Sequence, residues 1–190
     1  MNFILKIKAL TLIIIINIFT FAYSVIRYNI VGQVPLTDIP IFILNKSIAF
    51  SLIIILFLTF YYQNSQLSNN LKFARKSFIF LTLTHFLLSL SILSQDYYPK
   101  LFVDFKFNFI GNMTILFGVV AAVYIVVHRF KLNNMIFLSL LSGHLFFLGY
   151  KGWFNPAKWN GFMPPITLLC FILLIILILV SFSGKVRNRL

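Results

Sequence analysis

The fold class this sequence predicts is an all-α membrane protein, a bundle of six transmembrane helices, and three observations predict it. Of its 190 residues 61% are hydrophobic and 24 are Phe, and the mean hydropathy is +0.98, more apolar surface than a soluble core of this length can bury. The apolar residues gather into windows of about 20, the length a helix needs to cross the hydrocarbon core. The 16 Lys and Arg, set against three acidic residues for a formal charge of +13, fall mostly in the short segments between those windows. In a soluble protein such an excess would suggest nucleic acid; here membrane topology accounts for it, and no nucleic-acid partner is expected.

The windows lie at roughly 9–26, 41–62, 77–94, 109–127, 134–152 and 164–183. They fill a single domain, 1–190, and leave no room for a second. The first follows Lys6 and Lys8 as a signal peptide would, but its apolar run is long and no convincing A-x-A site follows, so it is expected to remain as helix 1. Helix 2 carries Lys46 near its start and ends at Tyr61 and Tyr62. Helix 3 follows Lys72, Arg75 and Lys76 and contains His85. In helix 4, Gly118 and Ala122 make a small-xxx-small step beside Gly111, which favours close helix packing over any chemistry; His128 stands at its inner end. Helix 5 contains His144 and leads into a segment stiffened by Pro156, Pro164 and Pro165. Helix 6 holds Cys170, the single cysteine, without a disulfide partner or a CxxC; a buried thiol is expected.

Counting basic residues by side orients the chain. Lys6 and Lys8, then Lys72, Arg75 and Lys76, then Arg129 and Lys131, then Lys185, Arg187 and Arg189 fall on one side. Arg27, Lys100, Lys106, Lys151 and Lys158 fall on the other, together with Asp38, Asp96 and Asp104. The positive-inside rule then puts both termini in the cytoplasm of a multi-pass protein of the inner (plasma) membrane. The pairs Tyr61/Tyr62, Tyr97/Tyr98 and Trp153/Trp159 lie near the predicted helix ends, where interfacial anchors belong. There is no G-x-G-x-x-G after a strand and no Walker loop, so a nicotinamide or flavin reductant would have to arrive on another protein.

Few groups inside the spans can carry chemistry: His85, His144, His128 and Lys46. No carboxylate lies mid-membrane, which counts against a small-solute transporter. His85 follows Ser77 by eight residues and His144 follows Asn134 by ten, about 12 and 15 Å from the inner boundary at 1.5 Å per residue. Two helices running in the same sense would thus present imidazoles at one depth, and a haem iron takes two axial nitrogens from opposite faces. The alternative is interhelical hydrogen bonding, with Thr82, Ser89 and Ser142 as candidate partners, in a non-redox structural or assembly subunit. Zinc fits less well, since two histidines alone lack a third and fourth ligand. For Lys46 two roles stand open, an ammonium aimed at a haem propionate or one snorkelling to the outer headgroups. Arg75 and Lys76 set topology or dock an electron donor. The segment from Lys151 to Pro165 either anchors at the interface or lids the outer face of the haem.

The stretch "IPIFILNKSIAFSLIIILFL" (Ile39–Leu58), then "FARKSFIFLTLTHFLLSLSIL" (Phe73–Leu93), then "SGHLFFLGYKGWFNPAKWNGFMPPITLLCFI" from Ser142, resembles the ferric reductase-like transmembrane domain family. The likeness covers nearly the whole chain from helix 2 onward. It is sharpest at the basic pair before helix 3, at the two central histidines, and at the loop holding Trp153, Pro156, Trp159, Gly161, Pro164 and Pro165. That family comprises six-helix membrane proteins binding haem b, among them ferric reductases, NADPH oxidases and the haem subunit of the periplasmic methionine sulfoxide reductase. The resemblance implies haem held between helices 3 and 5, with His85 and His144 as iron ligands. Two-haem members carry a second histidine about four turns along each ligating helix; the positions near Tyr98 and Ala157 offer none, so one haem is the most this pattern supports.

The expectation is therefore a membrane b-type cytochrome, passing single electrons through one bis-His haem to an extracytoplasmic acceptor or a partner reductase. His85, His144 and Lys46 are the expected haem-binding residues. A separate electron-donor protein, or a quinone or flavin supplied by a partner, would complete the path. If the chain is part of an enzyme, it is as the haem-containing electron-transfer component of a membrane oxidoreductase.

Overall fold

The computed structural model describes residues 3–64, 68–128 and 134–187. The structure is mostly helical, at 83%, and among the described residues six helical segments are long and apolar enough to cross a membrane: Ala9–Ile30, Leu36–Gln63, Asn70–Ser91, Phe109–Val127, Met135–Trp153 and Asn160–Phe182. Large apolar side chains stand exposed on the outer faces of these helices, Phe80 and Val127 at 68% and Leu179 at 64%. Thr20, Asn45, Ser47, Ser51, Thr114 and Ser142 are buried. Polar groups inward and hydrocarbon outward is the distribution a lipid solvent requires. Of the basic residues that orient the chain, Arg129, Lys131 and Arg189 lie outside the described residues.

Contacts group the chain into two units, Met1–Leu93 with Ala157–Ile166, and Ser94–Pro156 with Thr167–Leu190. In the first, α1 (Phe3–Val25) runs into a π-helical turn, Ile26–Ile30. A 3-10 turn (Leu36–Asp38) and a second π-helical turn (Ile39–Ile43) lead into α2 (Leu44–Asn64), and α3 (Ser68–Ser91) follows. Pro40 is tolerated because it sits in a first turn, where its missing N–H would have no intrahelical acceptor. All three helices pack on one another. Between α1 and α2 the packing is polar: the Thr20 hydroxyl lies 2.6 Å from that of Ser51 and 3.2 Å from that of Ser47, and Ser24 donates to the Thr20 carbonyl at 2.8 Å. In a medium with no hydrophobic drive between helices, such bonds and close packing hold the pair. The segment Ala157–Ile166 is tied to α1 by the Tyr23 hydroxyl, which donates to the Pro164 carbonyl at 2.7 Å, and to the π-helical turn after α1 by the buried Arg27, which donates to the Met163 carbonyl.

In the second unit a short antiparallel hairpin, β1 (Phe102–Val103) and β2 (Lys106–Phe107), precedes α4 (Phe109–Val127), followed by α5 (Met135–Trp153) and α6 (Ile166–Arg187). The hairpin is a local addition, before helix 4, to the helical architecture expected. Asp104 and Phe105, at φ 48° and 61°, form its two-residue turn, the left-handed geometry that matches strand twist. Asn108 and Asn134 cap α4 and α5, their side chains accepting from the N–H of Gly111 and of Ile136, each at 2.9 Å. Residue 118 meets α5 at His144, and Gly143 of α5 faces Phe117 of α4, so each helix offers a glycine to a ring of the other.

Two expectations shift. The apolar span of helix 2 begins at Leu36 instead of about 41, and α3 begins at Ser68 instead of 77. Nothing between Ser68 and Lys76 breaks a helix, so α3 already runs through the basic stretch that lies before the hydropathy window. The paired anchors also divide. Tyr62, Tyr98 and Trp153 are buried at 7%, 9% and 6% exposure, against 60% for Tyr61 and 36% for Tyr97. Successive residues in a helix point about 100° apart, and that turn carries Tyr62 from the exposed face of Tyr61 to a buried one. Trp153 is an internal anchor: its Nε1–H donates to Thr167 Oγ1 at 3.0 Å and its ring lies 4.8 Å from that of Phe171 on α6.

Candidate functional site

His85 lies on α3, six residues before the helix ends at Ser91. A histidine here needs a polar partner, because lipid supplies none. The partner is Asn45, in the first turn of α2 and 1% exposed. Its Oδ1 stands 2.6 Å from His85 Nδ1. Ser89, one turn beyond His85 on α3, holds the same amide: Asn45 Nδ2 donates to Ser89 Oγ at 3.1 Å, and Ser89 Oγ lies 3.3 Å from Oδ1. A carboxamide oxygen only accepts, so with Oδ1 facing the ring the proton resides on Nδ1 and the lone pair on Nε2.

His144 stands midway along α5, nine residues from Met135 and nine from Trp153. Its Nδ1 lies 2.8 Å from the backbone carbonyl of Thr114 on α4. A carbonyl has no proton to give, so Nδ1 carries one here too and the lone pair again falls on Nε2. The close approach depends on Gly118, one turn after Thr114 on α4. A Cβ at that position would come within 2.8 Å of His144 Nδ1 and 3.1 Å of Cε1. Gly118 is thus more than the packing step expected of it, since it makes the room in which the imidazole lies.

Both central histidines therefore share one arrangement, Nδ1 on an oxygen acceptor of a neighbouring helix. This arrangement fits a metal-bound imidazole, which coordinates through the nitrogen lone pair while the other ring N–H is held by a carbonyl or carboxylate. Of the partners expected for the alternative reading, Ser89 enters only through Asn45, Thr82 donates to the Phe78 carbonyl at 2.8 Å, and the buried Ser142 hydroxyl has no hydrogen-bond partner. Counted from the start of its apolar span at Asn70, His85 is about 22 Å along, and His144 is about 14 Å along from Met135. Helix starts alone do not reproduce the equal depths that the hydropathy windows predict, because α3 runs on through its basic turns.

Lys46 is half-buried, with Nζ 5.1 Å from the centroid of the Phe42 ring one turn before it. It lies ten residues past the start of its span at Leu36, deeper than the window predicts. His128 ends α4, exposed, stacked on Tyr124 at 3.9 Å with Nδ1 3.0 Å from the Tyr124 carbonyl, a contact local to one turn. Cys170 is buried, as the sequence suggests. Among the described residues no group of three or more His, Cys, Asp or Glu gathers.

Sequence reasoning passed over two participants and gave a third only part of its role. Asn45 was legible in principle, as an amide inside an apolar run is costly without a partner. The Thr114 carbonyl carries no signal in any sequence. Gly118 was noticed as a packing step, without the ring it makes room for. Comparison of the chain with family models, with curated proteins and with solved structures returns no match.

Proposed function

We propose that the protein is a membrane-embedded b-type cytochrome of the ferric reductase-like type, with one haem ligated by His85 and His144. It sits in the inner membrane with both termini cytoplasmic, and hands single electrons to an extracytoplasmic acceptor or a partner reductase. The observation that carries this reading is the matched environment of the two rings: each gives its Nδ1–H to an oxygen, which orients the ring and raises the basicity of Nε2. Haem, if bound, would be held by His85 and His144 and would supply a one-electron couple. Lys72, Arg75 and Lys76 belong at the headgroup level of the inner face, which sets the lipid boundary near Ser77 and brings His85 towards the depth of His144. Lys46, half-buried near the outer end of α2, is the residue to meet a propionate. The electron donor is a separate protein, or a quinone or flavin that a partner supplies.

The test is colour. Purified after expression with ample haem supply, the protein is expected to give the reduced-minus-oxidised difference spectrum of a low-spin b haem. His85→Ala and His144→Ala should each abolish it, and His128→Ala should leave it. A colourless protein, or a spectrum indifferent to either central histidine, overturns the reading.

A second reading has an observation of its own. Each imidazole already joins two helices, α3 to α2 and α5 to α4, which is all a structural or assembly subunit would ask of it. On that reading the protein is colourless, and His85→Gln, which keeps a polar side chain at the position, retains most of the stability that His85→Leu loses.

A further inference from the structure

His144 and His85 differ in what fixes them. The Thr114 carbonyl has only an acceptor to offer, so the proton of His144 is placed by the backbone. The partner of His85 is a carboxamide, with an acceptor at one end and a donor at the other. Turned about, Asn45 would donate to Nδ1, the proton would move to Nε2, and Nε2 would no longer carry the lone pair. Which end faces the ring thus decides which nitrogen is nucleophilic. Asn45 is 1% exposed, so water does not reorient it, and Ser89 Oγ touches both ends of its amide, at 3.1 and 3.3 Å.

We infer that Asn45, seated by Ser89, is a positioning residue that selects the Nδ1–H tautomer of His85 and so aims its lone pair through Nε2. The claim about the tautomer stands on the α2–α3 contact alone. Its consequence for haem rests on the proposed function: loss of the acceptor makes Nε2 a weaker donor, which favours ferrous iron and raises the midpoint potential. The Asn45–Ser89 pair then tunes one axial ligand, while the other is set by main chain and cannot be tuned by its partner's side chain.

The deciding experiment uses haem-free full-length protein in lipid, with 15N-labelled histidine, and reads tautomers from the ring nitrogen shifts. His85, assigned by its loss in His85→Ala, is expected in the Nδ1–H form in the wild type and in Asn45→Asp, where the acceptor remains. In Asn45→Leu the Nδ1–H signal of His85 should be lost in favour of Nε2–H, with His144 unchanged. An Nε2–H form of His85 in the wild type overturns the inference, as does an unaltered His85 signal in Asn45→Leu. Should Asn45→Leu not fold, Ser89→Ala decides, since an unaltered signal there removes the seat the inference needs. Haem-loaded protein separates the two levels. If the wild type takes up no haem while the tautomer follows Asn45, the cytochrome reading fails and this one stands; haem uptake with a tautomer and midpoint potential indifferent to Asn45 gives the reverse.

Discussion

An added methyl group at residue 118 would sit 2.8 Å from Nδ1 of His144, well inside van der Waals contact. The ring is held by the Thr114 carbonyl, so it cannot move aside without lengthening that bond. For Gly118→Ala, the overpacking cost of about 1–3 kcal/mol outweighs the gain of about 1 kcal/mol that alanine brings to a helix interior. The expected outcome is a less stable protein in detergent unfolding, and, if haem is bound, an altered low-spin spectrum. Gly152, in the last turn of α5, offers the control: nothing beyond its own stretch of chain lies within 4 Å of a Cβ built there, so Gly152→Ala should be neutral or stabilising. His144 shows how much of a site one sequence can give away. The ring was marked by its cost in lipid, but its holder is a main-chain oxygen and its space is the absence of a side chain.

At the scale of the element, α1 and α2 are joined by hydroxyls that the sequence scatters at Thr20, Ser47 and Ser51. Thr20→Val keeps the shape and removes the oxygen 2.6 Å from Ser51. A double-mutant cycle of Thr20→Val with Ser51→Ala is expected to give a coupling of about 0.6 kcal/mol, up to about 1.7, read from unfolding in lipid or detergent. Caps offer a second measure: Asn108→Ala should cost about 1 kcal/mol, because the first N–H groups of α4 lose their acceptor. The helices were legible as windows because hydropathy reports where lipid begins. Their ends were not, as α3 shows, since backbone hydrogen bonding already runs through Lys72, Arg75 and Lys76 before the apolar run starts. The hairpin at Phe102–Phe107 escaped notice because two-residue strands leave no period to read.

For the whole molecule, the orientation that the basic residues predict is open to direct test. In vesicles of known sidedness, a thiol introduced by Asp104→Cys, at the exposed turn of the hairpin, should react with an impermeant maleimide from the extracytoplasmic face only. One introduced by Lys72→Cys should react from the cytoplasmic face only. Native Cys170, 1% exposed, adds no background. Labelling from the reverse faces would invert the topology and put the outer loops, with all three carboxylates, in the cytoplasm. The two units differ in how they are made, the first around polar α1–α2 and α2–α3 contacts, the second around α4–α5 glycines and the Trp153–Thr167–Phe171 packing.

What the sequence determined by itself is the solvent of the protein and its spans, because burying hydrocarbon in lipid depends on composition summed over about 20 residues and hardly on which neighbour each one meets. It also determined that His85 and His144 need partners, since an imidazole in an apolar run is costly whatever surrounds it. Only the tertiary structure decided who those partners are, Asn45 in one case and the Thr114 carbonyl in the other, and with them which ring nitrogen keeps its lone pair. Hydrogen bonds are short and directional, so their partners depend on how helices distant in sequence come to face each other.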